Sequence, residues 1–93
     1  MRLVLYSKPG CHLCEGLQEK LAQVQSVPFD LEIRDITTRE DWFQAYQYEI
    51  PVLHLLSETQ TPIALPRISP RASLLQIERL LQRYLQNSEN KAE

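Results

Sequence analysis

Leu3, Val4, Leu5 and Tyr6 form an unbroken apolar run closed off by Ser7, Lys8, Pro9 and Gly10. A run of this length with turn residues behind it reads as a central strand buried on both faces. The rest of the fold must therefore supply covering layers. Behind the turn, Leu13, Leu17, Leu21 and Val24 recur at helical spacing, with Glu15, Gln18, Glu19 and Gln23 mostly on the opposite face. Ser26-Val27-Pro28 ends this helix. The pattern then switches to a period of two. Phe29, Leu31 and Ile33 point one way and Asp30, Glu32 and Arg34 the other, as in a half-covered strand at a sheet edge.

Thr37-Thr38-Arg39-Glu40 fits a capping box, in which the Thr37 hydroxyl and the Glu40 carboxylate satisfy each other's backbone N–H groups. The short helix it opens carries Trp42, Phe43 and Tyr46 on one face with no interleaved Lys or Arg. These rings read as core packing, not as a platform for stacking bases. Val52 to Leu56 is a third strand, Ser57 to Thr61 a turn, and Pro62 to Leu65 a fourth strand at an edge. A last helix runs to about Gln86 on a stripe of Leu74, Ile77, Leu81 and Leu85. Its start has two solutions: Ser69 with Pro70 at the first position, or Ser73 with Gln76 as a capping box.

The element order is β-α-β-α-β-β-α. Alternation of the first three strands with helices predicts parallel pairing in that half, and the short turn predicts an antiparallel last pair. The expected architecture is α/β, a mixed four-stranded sheet flanked by three helices. Ninety-three residues suffice for one domain with a modest core. Residues 1–86 are expected to form it, with 87–93 a polar, frayed tail.

Composition narrows the function. Net charge is -2, so no basic surplus attracts nucleic acid, and Arg67, Arg71, Arg79 and Arg83 read as a solvated helix face. No apolar run approaches the ~18 residues that cross a membrane. Arg2 precedes only the four-residue apolar run, too short for a secretory signal. A cytoplasmic location and a monomer are the expectation. The two cysteines, Cys11 and Cys14, then lie in a compartment that keeps thiols reduced. A bridge between them would close a tiny loop and restrict the unfolded chain little. A chemical role fits such a pair better than a structural one.

Cys11-His12-Leu13-Cys14 stands between the first strand and the first helix. A cysteine at a helix N-terminus meets unpaired N–H groups, and the dipole favours its thiolate. A second thiol three residues on lies one turn deeper on the same face and can attack the first sulfur while itself shielded. Cys11 is thus the expected nucleophile and Cys14 the resolving thiol, with Lys8 and His12 adding positive charge. Other readings stay open. Zinc takes four ligands, and the chain offers no second cysteine pair, with His54 on a separate strand. Two chains could share an iron–sulfur cluster through four thiols. The cysteines could also serve packing alone. No resident cofactor is expected.

The run Tyr6-Ser7-Lys8-Pro9-Gly10-Cys11-His12-Leu13-Cys14 resembles the strand–loop–helix of glutaredoxins, where Tyr-x-Lys leads into C-P-Y-C. Ile50-Pro51-Val52 resembles their second hallmark, the V-P step opening the third strand. The resemblance spans Arg2 to about Gln86, and His-Leu between the cysteines is similar to a glutaredoxin-like C-x-L-C group. It implies the thioredoxin fold, a cis Ile50–Pro51 bond, and a thiol–disulfide oxidoreductase working through a mixed disulfide. It also implies that the Ile50-Pro51 backbone binds substrate, with Arg67 available to a substrate carboxylate. The alternatives are a metal or iron–sulfur carrier on the same fold, or a non-catalytic binding module. Glutaredoxins grip glutathione with a Gly-Gly turn and an Asp. Leu65-Pro66-Arg67-Ile68-Ser69-Pro70-Arg71 has neither, so the expected substrate is a protein or small-molecule disulfide, with glutathione a weak partner.

Overall fold

We describe a computed structural model that covers residues 2–56, 62–69 and 71–90, with side chains as far as residue 84. The elements are β1 (Arg2–Ser7), α1 (His12–Ala22), β2 (Asp30–Asp35), a 3-10 turn (Ile36–Thr38), α2 (Glu40–Tyr46), β3 (Val52–Leu56), β4 (Pro62–Ala64) and α3 (Leu74–Asn90). The expected turn over residues 57–61 lies outside the described residues. The strand order is β2-β1-β3-β4, so β1 is interior and β2 and β4 are the edges. Among the described residues no helix is long and apolar enough to cross a membrane.

Alternation along the two inner strands divides the apolar interior into two layers. Leu3 and Leu5 of β1 with Leu53 and Leu55 of β3 meet Leu17 and Leu21 of α1 and Ile77 and Leu81 of α3. The intervening Val4 and Tyr6 face the other way, onto Ile36, with Trp42, Phe43 and Tyr46 packed around them. Tyr6 lies 4.4 Å from the Tyr46 ring and 5.7 Å, edge-on, from the Trp42 ring. The aromatic residues of α2 are partly buried and pack against the core, as their one-sided spacing predicts.

Several expectations need correction. β1 and β2 are parallel, but β3 runs antiparallel to β1. Ser7 pairs with Asp35 and Tyr6 with Val52, so β3 starts at the end of the sheet where β2 stops. The connection over residues 36–51 therefore returns the chain at the end of the sheet where β2 left it, and α2 is not a crossover helix. The Thr37–Glu40 capping box does not form. Asp35, just upstream, accepts from both the N–H and the hydroxyl of Thr37 at 2.9 and 2.6 Å, which makes the 3-10 turn. The cap residue of α2 is Arg39, whose side chain makes no cap bond. On β2, Ile33 is 40% exposed, and Arg34 instead lies over the Tyr6 and Trp42 rings at 5.6 and 5.3 Å. Phe29 and Leu31 pack against the main core as the alternation predicts, but the face expected to be solvated is partly covered as well, by the aromatic layer.

α3 is capped by the second of its two solutions. The Ser73 N–H donates to Gln76 Oε1 at 2.8 Å and the Gln76 N–H to Ser73 Oγ at 3.2 Å. The helix continues to Asn90, past the expected end near Gln86.

Candidate active site

The cysteines sit where a turn hands the chain from β1 to α1. Pro9 and Gly10 occupy its centre, Gly10 has φ +85°, and the Cys11 N–H closes it onto the Lys8 carbonyl at 3.2 Å. A type II turn needs that left-handed third residue, which glycine supplies without steric cost. Cys11 is then the N-cap of α1, in extended backbone (φ -84°, ψ 101°), and its Sγ accepts the Cys14 N–H at 3.2 Å. One of the unpaired amides of the helix start is thereby spent on the sulfur. Glu15 in the first turn and Lys20 in the last match the helix dipole.

Cys11 and Cys14 are joined as a disulfide, with Cα atoms 5.3 Å apart. The two sulfurs are not equivalent in access: Cys14 is 2% exposed, whereas Cys11 is half-buried. The spacing of three in a helix produces this difference, because the fourth residue turns inward over the sheet. Among the described residues no three His, Cys, Asp or Glu side chains gather as a metal site.

The other expected site residues divide. The Lys8 carbonyl closes the turn, and the lysine is exposed. The His12 side chain is 94% exposed, with Nδ1 3.7 Å from Glu15 Oε2. The Ile50–Pro51 bond is cis. Ile50 packs into the aromatic layer under Val4 and Tyr6, while Pro51 lines a cavity on the cysteine side of the molecule. Arg67 is exposed, and its Nη1 donates to the Glu49 carbonyl at 2.8 Å. That bond ties the segment after β4 to the residue preceding Ile50. His12, Pro51 and Arg67, far apart in sequence, thus border one groove.

Sequence reasoning missed the groove itself. It measures about 190 Å³. One wall is α1, with Leu13, Gly16 and Leu17, and the facing wall is Ile68 and Ile77. Leu13, expected in the buried stripe of α1, is instead 50% exposed at its lip. Lys20 borders the groove and donates to the Ala72 carbonyl at 2.6 Å. The available signal was Gly16, a glycine inside a helix, which costs roughly 0.5–1 kcal/mol relative to alanine. Neither strain nor crowding requires it: a Cβ there would meet nothing within 4 Å.

A family model of the glutaredoxin-like domain (DUF836) matches residues 2–82. The chain belongs to that family. Among solved structures, this glutaredoxin-like protein is similar to the structural-genomics target protein XcR50 from X. campestris. They share 25% identity at a TM-score of 0.59, over 87% of this chain and 96% of that one. It also resembles thioredoxin 1 from the thermophilic eubacterium Thermosipho africanus, with 18% identity and a TM-score of 0.64 over 96% of this chain and 99% of that one. The likeness to thioredoxin establishes the fold, a thioredoxin-like α/β sheet with its helices. No curated protein matches the chain.

Proposed function

We propose that this glutaredoxin-like protein is a cytoplasmic thiol–disulfide oxidoreductase. The observation that carries the reading is the unequal pair: a half-buried cysteine capping a helix N-terminus and, one turn on, a fully buried one. In the reduced protein the Cys11 thiolate attacks one sulfur of a substrate disulfide. A Cys11–substrate bond forms, and the other substrate sulfur leaves as a thiolate that takes up a proton. Cys14, deprotonated, then attacks Cys11 Sγ and expels the second substrate thiol. Two electrons pass to the substrate, and the Cys11–Cys14 disulfide remains, to be reduced again by an external dithiol. Lys8, and His12 when protonated, add positive charge near the attacking sulfur, which favours its thiolate.

The substrate is a protein or small-molecule disulfide. Glutathione is a weak partner in this reading, because its amine needs a buried or shielded acid. Residues 65–69, which lie beside the groove, contain none, and Pro66 has no N–H to donate. The test is single-turnover trapping by mass spectrometry. Cys14→Ser should accumulate a covalent adduct with a model disulfide, whereas Cys11→Ser should form none. In the reduced wild type Cys11 should alkylate first at neutral pH. Faster alkylation of Cys14 would defeat the assignment of roles, and turnover saturating at low glutathione would defeat the assignment of partner.

A further inference from the structure

We infer that Arg67 is a positioning residue of the thiol–disulfide site: by gripping the Glu49 carbonyl it holds residues 49–51 in place as the surface on which the backbone of a protein substrate lies. The inference rests on the thiol–disulfide reading above and names a residue that sets its hold on substrate.

The register of the sheet places this segment. Val52 pairs with Tyr6, next to the end of β1. Residues 49–51 therefore enter β3 at the end of the sheet where the turn carries the chain on to Cys11. Pro51 also borders the same groove as His12, the neighbour of Cys11 in sequence. An extended chain joined to Cys11 through its own sulfur meets the main-chain groups of this segment on that side, and such groups give a peptide backbone its hydrogen bonds.

Side-chain packing does little to hold the approach to Pro51. Tyr48 is 89% exposed and Glu49 is exposed, and Ile50 is the first residue there to pack into the aromatic layer. The backbone is secured by hydrogen bonds instead. The Glu49 and Ile50 N–H groups both donate to the Tyr46 carbonyl, at 2.9 and 3.1 Å. The Glu49 carbonyl accepts from Arg67 Nη1 at 2.8 Å. A bond from a guanidinium is roughly twice as strong as one between neutral groups. The base of this clamp is itself fixed. Leu65 is buried and donates its N–H to the Leu53 carbonyl at 3.0 Å, and Ile68 packs against the main core. Arg67 thus stands between two anchored residues and reaches across to the end of α2. Acting through the segment, it serves acidic and basic substrates alike, which a partner for a substrate carboxylate would not.

The test follows single-turnover reduction of symmetrical peptide disulfides by the reduced protein as peptide concentration rises. Each peptide is capped and carries one cysteine, flanked in the first by glutamates and in the second by lysines. Arg67→Met keeps the stem and loses the donors. It should raise the half-saturating concentration about ten-fold for both peptides and leave the limiting rate nearly the same, the pattern of lost ground-state binding. A single N–H bond to a carbonyl needs no planar fork, so Arg67→Lys should recover most of the loss. The Glu49 and Ile50 amides should exchange with solvent several-fold faster in Arg67→Met, as the segment opens away from Tyr46. If Arg67→Met does not fold, Arg67→Ala takes its place. A loss confined to the glutamate peptide would make Arg67 a ligand of the substrate and overturn the positioning role. Equal half-saturation in wild type and Arg67→Met, or a wild type that reduces bis(2-hydroxyethyl) disulfide and neither peptide, would overturn that role and leave the oxidoreductase reading standing. A wild type that reduces none of the three would overturn both.

Discussion

His54 sits on β3 with its imidazole 5.3 Å from the Tyr6 ring and 5.8 Å from that of Tyr46, edge-on to both. Partial burial, and then the Arg34 guanidinium, push its pKa below the ordinary histidine value. For a base with a depressed folded-state pKa, the unfolded chain binds the proton first. The neutral ring's contribution is complete above about 6.5, the unfolded value, and is lost as pH falls through that value toward the folded one. Stability should therefore drop between pH 7.5 and 5, and less so in His54→Phe, which keeps a ring against both tyrosines. Denaturant midpoints at the two pH values check this, and an equal drop in both proteins would falsify it. This histidine also marks where residue-level reading ended. The close pairing of Cys11 and Cys14 at the start of a helix was legible because spacing and place before a helix are local facts. That Pro51 and Arg67 border the same groove as His12 was not, because it depends on how β3 and the segment after β4 return to α1.

At the scale of elements, the two capping boxes had equal standing in the sequence, and only one formed. Ser73 and Gln76 exchange their bonds without a competitor. Thr37 has Asp35 two residues upstream, and a carboxylate already ionised at neutral pH is the stronger acceptor for its N–H and hydroxyl. Those two bonds hold the Asp35 carboxyl below its usual range. The consequence for α3 is measurable. Ser73→Ala should cost about 1 kcal/mol and lower the melting temperature by several degrees, whereas Thr37→Ser, which keeps both donors to Asp35, should change little. Calorimetry on the two variants separates them. The orientation of β3 was the other element that sequence could not settle. Periodicity identified α2 as a helix, but a helical period carries no record of the end of the sheet at which the next strand starts.

On the scale of the whole molecule, the alternation legible in β1 and β3 is what sorts the interior into two layers, and the continuous apolar run at Leu3–Tyr6 placed β1 inside the sheet. The edges were legible too. β2 carries Asp30, Glu32 and Arg34, and β4 is three residues long and opens on a proline, features that discourage pairing with a second sheet. Sedimentation at tens of micromolar should give a single species of the monomer's 10.9 kDa. The separation of layers also has an optical consequence. The protein's one tryptophan, Trp42, lies in the layer of Tyr6 and Ile36, while α1, whose start carries the cysteines, packs through Leu17 and Leu21 into the other layer. Intrinsic emission should report unfolding sharply and the making or breaking of the Cys11–Cys14 bond hardly at all. A spectrum that dims strongly on oxidation would mean that the sheet does not insulate the indole from the sulfurs. If it does insulate it, one fluorophore can follow the global stability of the reduced and oxidised forms on a common scale.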